Sequence, residues 1–146
     1  MRALRHHTDG LKLDEVPVPS PGPNEVLIKV HATAITAHEL DWPESVARPN
    51  PIPGHDVAGV VAEVGNQVNG FREGDEVFAL TSFSRDGAAA ECVIATSNEL
   101  AIKPSNLSFE HAAAVPLAAL TAWQAIYQHA DAKSGQKLLI TGAGGM

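Results

Sequence analysis

From Met1 to about Pro104 the apolar residues fall in short runs separated by turn formers, a pattern of strands rather than helices. The runs predict strands over residues 25–32, 57–64, 76–80, 89–95 and 99–103. Pro17, Pro19, Pro21 and Pro23 form an extended connector, because alternate residues lack the amide that a central strand must donate. Between the second and third of these strands, Asn66, Asn69, Gly70 and Gly74 supply residues that tolerate positive φ. The expected unit is mainly β with some α, a mainly antiparallel and partly open β-barrel. Ala58 and Gly59 let backbones approach closely inside it, and Asp56 reads as structural.

After Pro104 the pattern changes. Ser108 is placed to cap a helix that has Glu110 in its first turn, and Leu117, Leu120, Trp123 and Tyr127 recur at helical spacing. Two helices broken at Pro116 are expected from about Ser108 to about Ala130. Ser134-Gly135 ends them, and residues 137–141 form a continuous apolar run of the kind found in a parallel strand covered on both faces.

Seventeen acidic against ten basic residues give a formal charge of −7 with no basic run, which argues against nucleic acid as a partner. Cys92 is the single cysteine, so neither an internal disulfide nor a cysteine-based zinc knuckle can form within the chain; it reads as an inert thiol. A reducing, cytoplasmic location is the expectation. No stretch approaches the roughly 20 apolar residues of a membrane span.

Gly142-Ala143-Gly144-Gly145-Met146 fits the first five places of G-x-G-x-x-G directly after an apolar run, the context in which backbone amides cradle a pyrophosphate. An ordinary flexible glycine tail is the other reading. Five ordered segments then make the whole chain resemble one group. They are Glu25-Val-Leu-Ile-Lys-Val-His-Ala, the stretch from Pro53-Gly-His-Asp to Gly65, Phe71-Arg-Glu-Gly-Asp-Glu-Val-Phe, the alanine-rich run from Ala112 to Trp123, and Gly135 to Gly145. In order and spacing they resemble the medium-chain dehydrogenase/reductase superfamily, in its zinc-less quinone-oxidoreductase-like branch.

That resemblance implies a GroES-like catalytic domain, here residues 1–115, followed by a connecting helix and the start of a Rossmann domain, residues 116–146, cut short in the glycine turn. It implies hydride transfer from NADPH or NADH to a quinone, enone or carbonyl, with a small-molecule substrate and no membrane partner, and it leaves room for an oligomer in the complete protein. The isolated chain is expected to be inactive.

Thr36 occupies the place of the zinc enzymes' first cysteine ligand, and its hydroxyl is a poor zinc donor beside a thiolate. His55 matches their ligand histidine and lacks that partner, so no zinc is expected. A substitute site of His38, Glu39 and His55 is the competing arrangement. The same resemblance places Thr36 near the nicotinamide and substrate, puts His38, Trp42 and His55 at the cleft, sets Thr121 beside the nicotinamide, and makes Gly142, Gly144 and Gly145 the pyrophosphate turn. Each has a plainer alternative: Thr36 as a strand-end threonine, Trp42 as a loop anchor, Thr121 bonded back to its own helix. Two other functions stay open, a non-enzymatic GroES-like binding or regulatory module and a zinc-dependent alcohol dehydrogenase fragment.

Overall fold

The computed structural model describes residues 1–36, 38–43 and 47–144. Its strands are β1 (Arg2–His7), β2 (Gly10–Glu15), β3 (Glu25–Ala34), β4 (Asp56–Val64), β5 (Glu76–Leu80), β6 (Cys92–Thr96) and β7 (Leu100–Ile102). Two helices follow, α1 (Phe109–Ala113) and α2 (Pro116–Trp123), and a π-helical turn over Gln124–His129 continues the second.

Strands β3 to β7 form one antiparallel sheet in the order β6-β3-β4-β5-β7, open at both edges and not closed into a barrel. β4 lies at its centre, and the alternation of the strand buries it on both faces. Val57 and Val61 enter the main core with Val26, Ile28, Val77, Val93 and Ala95. Ala58 points the other way and packs with Ala112 and Ala113 of α1. Gly59 sits in register with Val30 on one side and Val77 on the other. A Cβ there would stand 2.2 Å from the carbonyl oxygen of Lys29, so the residue must be glycine for the two strands to approach this closely.

β1 and β2 form a separate hairpin, absent from the strands expected above. Its cue is Asp9-Gly10 followed by alternating Leu11 and Leu13, but both leucines are exposed, so no continuous apolar run marks it. The hairpin joins the chain's middle through an isolated bridge between Ala3 and Ala90. Ser108 caps α1 as expected, accepting from the amide of His111 at 3.3 Å. Lys103 fixes the linker before it. Its buried ammonium lies 3.1 Å from Glu76, donates to the carbonyl of Leu107 at 2.6 Å, and stands 5.2 Å from the centre of the Phe109 ring.

Residues 137–141 have the composition of a covered strand but not its cover. They pair with no strand among the described residues, and Leu139 is 93% exposed. An apolar run adopts ladder geometry only when a neighbouring strand accepts its hydrogen bonds. Among the described residues no helix is long and apolar enough to cross a membrane.

Candidate functional site

The register of β3 and β4 assembles the site. Ala34 pairs with Asp56, so the residues just past the end of β3 and just before β4 meet at one end of the sheet. Thr36 and the 3-10 turn Glu39–Asp41 come from the first segment, and Gly54 and His55 from the second. Glu39 joins them. Only 2% exposed, its carboxylate accepts from the amide of Thr36 at 3.0 Å and from that of Gly54 at 2.5 Å. Gly54 can approach because it has φ +85° and no Cβ; a Cβ would lie 2.5 Å from Oγ1 of Thr33.

His55 is 3% exposed. Its Nδ1 lies 3.3 Å from Oγ1 of Thr81, which itself donates to the carbonyl of His55 at 3.1 Å. With that single hydroxyl proton engaged, Nδ1–H is the donor of the pair, and the neutral ring carries its lone pair on Nε2. Burial is the main cause holding the imidazole below the usual histidine range, assisted by the charge of Arg48 and opposed by the carboxylates of Glu39 and Asp86. The ring meets Phe83 edge-on at 4.9 Å, and Phe83 meets Trp42 edge-on at 5.2 Å. His55, Phe83 and Trp42 thus make one aromatic wall beside the Thr36 loop.

The structure therefore brings Thr36, Trp42 and His55 together and leaves other candidates apart. The side chain of His38 is 85% exposed and 3.6 Å from Asp41, so it does not join Glu39 and His55 in a three-donor set. Thr121, Gly142 and Gly144 are exposed, and Gly145 lies outside the described residues. Glu39, which sequence placed only in the hypothetical metal set, gives both oxygens to backbone amides instead. Thr81 and Phe83 carried no signal of their own, although they follow the Phe71–Phe78 motif within a few residues. Among the described residues no group of three or more His, Cys, Asp or Glu is placed to hold a metal ion.

Asp56 is also more than a strand residue. Burial raises its carboxyl pKa to about 6, the nearby Glu39 adds to the rise, and a hydrogen bond from the amide of Leu117 opposes it. Because the folded chain holds this proton more tightly than the unfolded one, the group's contribution to stability is complete below about pH 4 and is lost as pH rises through 6. In Asp56→Asn that loss disappears. The stability of the variant relative to the parent is expected to grow by up to about 3 kcal/mol between pH 4 and pH 7, measured by urea denaturation at each pH. A flat difference would refute the raised pKa. His55 acts in the opposite sense, its depressed pKa withdrawing stability as pH falls below the usual histidine range, and it cancels between parent and variant.

An antiparallel sheet joined to short helices is the architecture of a GroES-like domain. The chain belongs to the family described as the alcohol dehydrogenase GroES-like domain, which it matches over residues 22–122. It is 42% identical to the chloroplastic quinone-oxidoreductase homolog of Spinacia oleracea, over 94% of this chain and 45% of that protein. It is 41% identical to the probable zinc-binding oxidoreductase, mitochondrial, of Arthroderma benhamiae, over 87% of this chain and 42% of that protein. The solved quinone oxidoreductase from Coxiella burnetii superposes with a TM-score of 0.83 at 31% identity, covering 92% of this chain and 46% of the other. The chain thus spans under half the length of these relatives.

Proposed function

We propose that the chain is the substrate-side part of a zinc-independent, NAD(P)H-dependent oxidoreductase that reduces a quinone, enone or carbonyl. The observation that carries this reading is the chemistry at the end of β3 and β4. Thr36 offers a hydroxyl where a zinc site needs a thiolate, and both oxygens of Glu39 are engaged by amides. Trp42 and Phe83 present aromatic edges and faces suited to a flat conjugated acceptor. The chain's own residues position and desolvate such a molecule.

The nucleotide does not fit the described residues by themselves. Gly142 has φ +71° and is exposed like Gly144, and among the described residues no paired strand precedes the turn to direct amides at a pyrophosphate. Nucleotide binding therefore needs more than the described residues. The name of the Arthroderma relative favours a second reading, a zinc-binding oxidoreductase.

Two measurements test the proposal. Elemental analysis after dialysis is expected to find far less than one zinc per chain, and one tightly held zinc would support the second reading with His55 as a ligand. Titration of a naphthoquinone into labelled chain is expected to shift the NMR signals of Trp42, Phe83 and His55 together. No shift at these three would favour a non-enzymatic module.

A further inference from the structure

Helix α2 begins with no residue able to cap it. Val115 occupies the cap position in helical conformation, φ −90° and ψ −45°, and makes no side-chain cap bond, while Pro116 has no amide. The first amide of the helix that needs a partner is that of Leu117. Its partner comes from the sheet, 61 residues away, for Leu117 N–H donates to Oδ1 of Asp56 at 2.7 Å. The contrast with α1 is direct, since Ser108 caps that helix from its own cap position.

Asp56 is held firmly enough to direct a helix. It is 5% exposed and is the first residue of β4, paired with Ala34 on one side and Leu80 on the other. It follows His55 in the chain, and its carbonyl accepts from the hydroxyl of Thr33 at 2.6 Å. Leu117, at the other end of the bond, stands four residues before Thr121, so the two lie on one face of α2 a single turn apart.

We propose that Asp56 is a positioning residue, whose carboxylate caps α2 from the sheet and so sets the helix that carries Thr121 against the strand that follows His55. Its functional meaning rests on the reading that Thr121 belongs to the reaction site. The bond itself does not, and the quinone titration above bears on the function alone, so the two can fail separately. A cap at position 115 would form within the helix and would leave its angle to the sheet free. A cap from β4 restricts that angle, because the acceptor moves only with the sheet.

The test compares the labelled chain with Asp56→Ala and Asp56→Asn by amide hydrogen exchange and by residual dipolar couplings. In D56A the Leu117 amide is expected to exchange at least tenfold faster relative to Val57 and Val77, and the couplings of α2 no longer fit the alignment of the sheet. D56N retains an acceptor oxygen and is expected to restore both, a rescue that general loss of stability would not show. If D56A does not fold, D56S takes its place, since the serine hydroxyl is too short to span to Leu117. Unchanged Leu117 exchange in the variant without the acceptor, α2 couplings that still fit the sheet there, or failure of D56N to restore them would each overturn the proposal.

Discussion

The Glu39→Ala chain is expected to lose roughly 2 to 6 kcal/mol of stability, because two amides that the carboxylate satisfies are left without it at about 1 to 3 kcal/mol each. Those amides belong to Thr36 and Gly54, so the loss falls on the bond between the two halves of the site. Glu39→Gln is expected to lie between Ala and the parent, since its amide group retains one acceptor and turns a donor toward the other N–H. Urea denaturation measures the energy, and the ring signals of His55 and Trp42 report whether the loop has separated from the strand. A change under 1 kcal/mol in E39A would mean that water replaces the carboxylate without penalty and that the burial of Glu39 has no structural role.

Gly59→Ala is expected to be at least as damaging, at about 3 kcal/mol or more, the upper end of what overpacking produces. The added methyl group meets backbone, not the tip of a flexible side chain. It would stand 2.2 Å from the Lys29 oxygen and 2.8 Å from Cγ2 of Ile28. Relief requires separating β3 from β4, the pair that creates the site. Gly70→Ala is the informative control, because Gly70 has φ +88° with open space around it and the change is expected to cost only about 1 kcal/mol. Denaturation midpoints that rank the two variants equally would show that close approach of the strands is not what demands glycine in β4.

The legible parts of this chain share a physical basis. β5 matches the expected residues 76–80, and β4 departs from expectation by one residue, because both lie inside the sheet and read as mostly apolar runs between turn residues. The need for glycine in β4 was readable from the small residues Ala58 and Gly59. The hairpin β1–β2 escaped because its exposed leucines break the contrast between an inner and an outer face. Residues 137–141 have the composition of a covered strand, and nothing among the described residues covers them.

Sequence by itself determined the strand-forming runs, the Ser108 cap, the break at Pro116 and the succession of motifs that marks the family, all of which depend on residues a few positions apart. Thr36 and His55 are candidates reached from such local resemblance. Tertiary structure alone decided what surrounds them. Glu39 reaches Gly54 across 15 residues, His55 meets Thr81 across 26, and Asp56 caps α2 across 61. Such partners follow from the register of β3 against β4 and β4 against β5, where a slip of one residue would turn every side chain to the other face. Periodicity specifies which face of a strand is buried, but only the assembled sheet determines which distant amide a buried carboxylate must satisfy.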